Sequence, residues 1–283
     1  MDSVKIRPFK EADLVQAMRL KEEADWNQTR KDWQRLIDLG PEGNFVASFQ
    51  EKVIGTVTTI IYERRLAWIG MMLVEASQRR RGIGAGLMRT ALDYLHGLGV
   101  ASVKLYATPA GRPLYESLGF REEGRIERWQ GRASAMRKNE LIRMDPKAVP
   151  RITAMDCRAF GADRSTLIAR LTMDCPIDPL ITIDSKGKPA GYALSRPGSK
   201  ADYIGPIGAE NSEIALVLLD GLLGQLNGKT VYLDFNPGCG IAREALVQRG
   251  LVKQRDLTQM AFGRESGAGV SKWVLGIAGP ELG

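Results

Sequence analysis

The chain has 283 residues, 44% of them hydrophobic and 26% charged, with a formal net charge of +7. That length suits about two domains, each large enough to bury a core. No stretch approaches the ~18 uninterrupted apolar residues of a membrane span, and no signal-peptide h-region is present, so neither a membrane protein nor an exported one is expected.

In chain order, residues 4–7 look like a first strand. Residues 11–23 follow as an amphipathic helix with Leu14, Ala17, Met18 and Leu20 apolar. The segment Trp26-Asn27-Gln28-Thr29 separates it from a second helix at 31–39. Residues 45–49 and 53–61 form a hairpin about Gln50-Glu51-Lys52. Residues 64–67 break the pattern before Trp68 opens a buried strand over 69–74. Arg79, Arg80 and Arg81 come next, then Gly82, Gly84 and Gly86, and a helix over 85–95 with Leu87, Met88, Ala91, Leu92 and Leu95 at helical spacing. Residues 102–107 read as another strand, Thr108-Pro109-Ala110-Gly111 as a turn, and 114–120 as a short helix with a Gly cap.

A strand that feeds a Gly-rich turn opening a helix is an anion site. The first backbone N–H groups of the helix lack partners, the helix dipole adds positive potential, glycine permits close approach, and arginine supplies charged forks. The charge distribution agrees: residues 1–138 hold 23 Lys and Arg against 17 Asp and Glu, and residues 139–283 hold 17 against 16. Nucleic acid is the competing partner for a basic chain. The arginines are concentrated in one turn, however, with no long basic stripe, which favours a phosphate-bearing cofactor and no nucleic acid. The loop is neither a Walker loop nor the dinucleotide fingerprint, because no Gly-Lys-Ser/Thr follows and the glycine spacing differs. A solvated basic turn is the plainer alternative.

Arg79-Arg80-Arg81-Gly82-Ile83-Gly84 resembles the Arg/Gln-x-x-Gly-x-Gly/Ala signature of the GCN5-related N-acetyltransferase (GNAT) superfamily. The strand at 102–107 and the helix with Tyr115 ending in Gly119-Phe120 resemble its next element, and the likeness covers roughly residues 4–145. Ala76 departs from it, many members having Pro there. The resemblance implies a mixed, mostly antiparallel twisted sheet flanked by helices, of the α/β (α+β) class. It also implies acetyl-coenzyme A (acetyl-CoA) as cosubstrate, held by Met72, Leu73, Val74, Arg79, Arg80, Arg81, Gly82, Ile83, Gly84, Ala85, Thr108, Gly111 and Tyr115. Tyr115 is placed like the residue that protonates the leaving thiolate, or else it is a core aromatic. The same resemblance puts the acceptor wall near Trp26, Asn27 and Trp68; packing under a loop is the alternative for Trp26, a core position for Trp68, and capping of the second helix for Asn27 or Thr29. No base is singled out among Asp25, Glu63 and Glu75.

The second half repeats the first. Leu141-Ile142-Arg143 corresponds to Lys5-Ile6-Arg7, Tyr203-Ile204-Gly205 to Trp68-Ile69-Gly70, residues 231–237 to 103–109, and Arg249-Gly250-Leu251 to Leu118-Gly119-Phe120. The expected division is a catalytic copy at 1–140 and a degenerate copy at 141–283. In the second, the arginine turn is missing, Glu210 and Glu213 precede the helix at 214–226, and no Tyr matches Tyr115. This resembles tandem acetyltransferases whose N-terminal copy is catalytic, with residues 273–283 similar to that group's final strand and tail.

The expected function is transfer of an acetyl group from acetyl-CoA to a primary amine of a small molecule; a non-catalytic coenzyme-binding sensor is the alternative. Three cysteines, Cys157, Cys175 and Cys239, without a CxxC pair argue against a disulfide framework and a zinc site and for a reducing cytoplasm. One histidine, His96, argues against a His-rich metal site and suits a helix end, so no metal is expected. The acceptor's identity and the oligomeric state are not legible.

Overall fold

The computed structural model describes residues 3–134, 142–143, 149–264 and 269–283. Its strands are β1 (Lys5–Pro8), β2 (Phe45–Phe49), β3 (Lys52–Tyr62), β4 (Leu66–Val74), β5 (Ser102–Ala107), β6 (Arg121–Arg132), β7 (Ile142–Arg143), β8 (Leu180–Ile183), β9 (Pro189–Arg196), β10 (Asp202–Ala209), β11 (Thr230–Phe235), β12 (Leu251–Gly263) and β13 (Val274–Gly276). Its helices are α1 (Leu14–Glu23), α2 (Arg30–Leu39), α3 (Ile83–Gly97), α4 (Arg112–Ser117), α5 (Val149–Phe160), α6 (Ser165–Asp174), α7 (Ser212–Gln225) and α8 (Arg243–Val247). No described helix is long and apolar enough to cross a membrane.

The chain forms two compact units built from alternating segments. The first comprises Met1–Glu123, Gln259–Ser266 and Glu281–Gly283; the second comprises Gly124–Thr258 and Gly267–Pro280. In the first unit the strand order is β1-β2-β3-β4-β5, followed by the end of β12. The β1–β2, β2–β3 and β3–β4 pairs are antiparallel and the β4–β5 pair is parallel. Leu87, Met88, Ala91 and Leu95 of α3 pack with Ala67 and Ile69 of β4 and Val103 and Leu105 of β5. Successive strand residues face opposite sides, so Trp68 and Gly70 turn away from α3, toward the side where α1 and α2 cover β3.

The second unit repeats this plan with β7 to β11, the start of β12, most of β6, and β13. Its core sets Leu218, Leu219, Leu222 and Leu223 of α7 against Ile204, Val231, Leu233 and Phe235. The strand after Phe120, β6, pairs with β11 of the second unit over Glu127–Arg132. The corresponding strand of the second half, β12, gives its last residues to the first unit, where Arg264 N–H bonds Ala101 C=O at 2.9 Å. Each fold copy is therefore finished by a strand from the other half of the sequence.

Several local expectations shift: α3, α4 and α7 each start two residues early, at Ile83, Arg112 and Ser212, which places Glu213 inside α7. The first helix opens with a 3-10 turn, Glu11–Asp13, and is α-helical only from Leu14. The hairpin turn is Gln50-Glu51 alone, with φ of 48° and 61°. The break expected at 64–67 is a two-residue turn, Glu63-Arg64 (φ 54° and 56°), so β4 starts at Leu66. Turns with two left-handed residues usually carry Asn or Gly, and neither turn does, which hid both bounds in the sequence.

Candidate active site in the first unit

The parallel β4–β5 ladder runs from Leu66↔Ser102 to Trp68↔Lys104 and stops. Strand β4 continues to Val74 and β5 to Ala107, so beyond Trp68 their facing edges have no ladder partner in each other. At the same place β4 carries an extra residue against β3. Thr58 pairs with Gly70 but Thr56 with Leu73, and Met71 adopts φ 46°. A left-handed conformation at a buried Met costs about 1–3 kcal/mol, and bulges of this kind gather beside functional sites. Thr56 Oγ1 donates to Met71 C=O at 2.7 Å and holds the bulge.

From Val74 the chain passes a 3-10 turn at Ala76–Gln78 and reaches the arginines. Arg80 has φ 60° and Gly82 has φ 79°. Gly82 is the N-cap of α3 and makes no side-chain cap bond; the first helical bond is Gly86 N–H to Gly82 C=O at 3.0 Å. The N–H groups of Ile83, Gly84 and Ala85 therefore open the helix without intrahelical partners. A Cβ on Gly82 would meet nothing within 4 Å, so the space before the helix is open. Gly84 faces Met72 and Val74: a Cβ there would lie 2.9 Å from Met72 Cε and 3.8 Å from Val74 Cγ2. Leu73 is buried, and Arg79, Arg80 and Arg81 are exposed. Arg79 Nε donates to Val74 C=O at 3.1 Å, and Arg81 bonds Gln78. The arginine turn, the glycines and the end of β4 are thus one surface.

Thr108 Oγ1 accepts the Gly111 N–H at 3.2 Å, fixing the turn that opens α4. Tyr115 lies on α4, 8% exposed, edge-on to Phe120 with ring centroids 6.0 Å apart. A Cβ on Gly111 would sit 3.2 Å from Tyr115 Cε2. Burial pushes the Tyr115 hydroxyl well above the ordinary phenol range, so it stays protonated. It can donate a hydrogen bond to a developing thiolate, whereas complete loss of its proton would leave a buried phenolate. Of the two roles weighed from the sequence, the core position is the one that its burial and ring contact describe.

Trp26 is half-buried and Asn27 is buried. Helix α2 is capped by Thr29, whose Oγ1 accepts Asp32 N–H at 3.3 Å while Asp32 accepts Thr29 N–H at 2.7 Å. Trp68 is buried against Tyr106, ring centroids 5.1 Å apart. The carboxylates weighed as bases differ. Glu75 takes Lys52 Nζ at 2.9 Å and Arg19 at 3.0 Å. The Lys52 bond, opposed by burial and aided by Ser77 and Arg19, holds it below the usual carboxylate range, which suits an ion pair better than a base. Glu63 is an exposed turn residue bonded to Arg65, and Asp25 is exposed with φ 61°.

Sequence reasoning missed Glu281. It belongs to the first unit, is 2% exposed, and accepts Gln28 Nε2 at 2.8 Å. Tyr62 donates to Leu282 C=O at 2.7 Å and fastens the same tail. No local pattern announces such a long-range contact; the only signal was a tail similar to that of tandem relatives.

In the second unit the equivalent opening is filled. Strands β10 and β11 pair in parallel from Asp202↔Val231 to Ile204↔Leu233. Beyond that, β13 lies between them, with Ile207↔Gly276 on one side and Phe235↔Gly276 on the other. Asn236 N–H donates to Leu275 C=O at 2.9 Å, and Ile277 N–H to Asp234 C=O at 3.2 Å. Helix α7, the counterpart of α3, is capped by Asn211, whose Oδ1 accepts Ile214 N–H at 2.9 Å. Both Glu210 and Glu213 are exposed at this helix start.

A mixed sheet parting between two parallel strands, beside a Gly-rich uncapped helix start with an arginine turn, is the architecture of an acyl-transferring enzyme. Residues 12–120 match the family model described as "Acetyltransferase (GNAT) family", and residues 152–271 match "Acetyltransferase (GNAT) domain". The chain belongs to the GNAT family, as a tandem of two copies, and is an N-acetyltransferase. It is 26% identical over 242 residues to the uncharacterised N-acetyltransferase YitH of Bacillus subtilis, covering 83% of each chain. Among solved structures it is similar to a Pyrococcus horikoshii protein named as a candidate acetyltransferase, with TM-score 0.83 and 21% identity over 99% of this chain and 96% of that one. It is also similar to a GCN5-related N-acetyltransferase from Sphaerobacter thermophilus, with TM-score 0.70 and 17% identity over 95% and 98%. These structural likenesses confirm the expected fold class.

Proposed function

We propose that the first unit binds one acetyl-CoA and transfers its acetyl group to a primary amine of a small molecule, and that the second unit binds none. The observation that carries this reading is the contrast between two equivalent openings. The β4–β5 opening faces an uncapped helix start, while the β10–β11 opening contains β13 and faces a capped one.

The residues present suit the coenzyme. Arg79, Arg80 and Arg81 with the N–H groups of Gly82 to Ala85 suit a pyrophosphate, because backbone donors, helix dipole and guanidinium forks all favour anions. The edge of β4 from Met72 to Val74 suits the extended arm, with Thr108 and Gly111 shaping the turn across from it. Bound there, the coenzyme supplies an acyl group activated as a thioester. The chain's own groups orient it. Backbone N–H groups near the Met71 bulge are the donors for the acyl oxygen as negative charge develops on it. Tyr115 holds its proton on the phenol oxygen and donates a hydrogen bond to the departing sulfur. Trp26, Asn27 and Trp68 wall the acceptor side. The three cysteines are free thiols, which supports the cytoplasm as its compartment.

Isothermal titration of the intact chain with acetyl-CoA tests the division of labour. One equivalent is expected, followed by thiol release on adding an amine; two equivalents would overturn it.

A further inference from the structure

Strand β4 changes face at Met71. Before it, Ala67 and Ile69 belong to the core around α3; beyond it, Met72 and Val74 pack there, against Gly84. One inserted residue has exchanged the odd positions for the even ones. Val57 of β3 marks the place, lying between Thr56, which pairs with Leu73, and Thr58, which pairs with Gly70. The backbone groups change direction together with the side chains, because successive N–H groups of a strand point to opposite edges. Glu75 N–H donates to Ile54 C=O at 2.8 Å, so it points toward β3. Val74, one residue earlier, therefore points its N–H and C=O toward the parted edge, and Arg79 Nε reaches that C=O at 3.1 Å. Met72 shares the face of Val74 and hence its direction. Without the extra residue, these N–H groups would turn back to β3 and the opening would lose them.

The extra residue does not stay in place by its own preference. Met71 has φ 46°, a conformation that costs a Met an amount of the same order as one hydrogen bond supplies. That bond comes from Thr56, which is buried and whose Oγ1 donates to Met71 C=O at 2.7 Å. Its neighbours Gly55 and Val57 face α3, so the Thr56 side chain stands on the other face of β3. A valine at this position would have nearly the same shape and no donor.

Resting on the proposed function, we propose that Thr56 is a positioning residue for acyl transfer. Its hydroxyl holds Met71 so that the N–H groups of Met72 and Val74 face the parted edge, where the acyl oxygen gathers negative charge as the acceptor attacks. Thr56 acts through the backbone of β4, so its effect falls on kcat rather than on coenzyme binding.

The test uses the full chain with acetyl-CoA, and spermidine, tyramine, glucosamine and a short peptide amine as acceptors, read as thiol release. Thr56→Val keeps the shape and removes the donor. Its kcat should fall about 10-fold or more, since loss of one oxyanion donor outright costs about 10²–10³-fold. Its Kd for coenzyme A, read by isothermal titration, should stay within about twofold of the wild type. Thr56→Ser keeps the hydroxyl, loses a methyl group, and should retain most of kcat. A packing role would order these two variants the other way. Thr56→Ala lacks both groups and should fall with Thr56→Val, so the contrast with Thr56→Ser remains even where the valine variant fails to fold. A kcat within about twofold of the wild type in Thr56→Val would overturn the assignment. So would Thr56→Ser falling as far as the variants without a hydroxyl, or a loss of coenzyme A affinity equal to the loss in kcat. A wild type that binds no acetyl-CoA, or releases no thiol with any of the four amines, would instead overturn the function on which the assignment rests.

Discussion

Replacing Gly84 by Asp separates coenzyme binding from folding. The Cβ at residue 84 would lie 2.9 Å from Met72 Cε and 3.2 Å from Leu114 Cδ2. Both atoms end flexible side chains, and Gly84 is not among the positive-φ glycines, so a side chain there is accommodated by small rotations. A carboxylate in the first turn of α3 gains about 0.3–1 kcal/mol from the helix terminus, which offsets that crowding. The free variant should therefore stay within about 1 kcal/mol of the wild type. Acetyl-CoA at a hundred times its Kd adds about 2.7 kcal/mol to the wild type, which for a protein of this size is a rise of about 5–11 °C in the midpoint. In the variant the carboxylate competes for the helix N–H groups and repels pyrophosphate, so the rise should vanish. Differential scanning fluorimetry with and without acetyl-CoA reads both quantities. An equal rise in Gly84→Asp would remove the loop from the binding site. A fall of more than about 4 °C in the free variant would show that the packing estimate is wrong.

Tyr115→Phe should leave the acetyl-CoA affinity nearly intact and lower kcat by about 10²-fold, read as thiol release. Because burial raises the Tyr115 pKa, the wild-type rate should show no alkaline limb from this group below about pH 10. Asp13 is pushed up by burial, but the Arg7 fork at 2.7 and 2.8 Å and the Lys10 N–H at 2.8 Å outweigh that and leave its pKa lowered. A lowered folded-state pKa stabilises above the unfolded value of about 4, and the contribution is lost as pH falls through the folded value. Asp13→Asn should therefore cost about 1–3 kcal/mol at pH 7 and progressively less below pH 4, measured by urea unfolding across that range. A constant difference at all pH values would mean that the ion pair is not what the carboxylate contributes.

The proposed coenzyme loop is legible in the sequence because its chemistry is local. Arg79 to Gly84 name an anion site by residue type alone, and the strand and helix on either side are strongly patterned. The acceptor side was less legible. Trp26 and Asn27 stand out in the sequence as an aromatic and an amide in a connecting segment, but the partner of their neighbour Gln28 is Glu281, 253 positions away, which no local pattern shows. The exchange of β6 and β12 was invisible for a different reason. A strand's alternation says which face it buries, not which sheet edge it completes, and the ends of these two are interchangeable by that criterion. Strand β13 is three residues long, too short for any period to register.

The two openings show one physical problem solved in two ways. Where parallel strands part, backbone N–H and C=O groups lose their ladder and must find other partners. Between β10 and β11 the chain supplies them itself through Val274–Gly276, and Asn211 takes up a donor at the start of α7. Those groups are thereby taken up within the chain. Between β4 and β5 no strand intervenes, and the start of α3 has no side-chain cap. The same stretch that closes the second opening continues past Ala278, whose C=O accepts from Arg196, to Glu281–Gly283 of the first unit. Residues 274–283 therefore link two features: a filled opening between β10 and β11, and a buried carboxylate on the face of β4 opposite α3. Displacing β13 by substitution should therefore leave the stoichiometry at the proposed one acetyl-CoA per chain, read by isothermal titration, and a second equivalent would show that the strand alone excludes it. Glu210 and Glu213 would still repel a phosphate there even with the strand displaced.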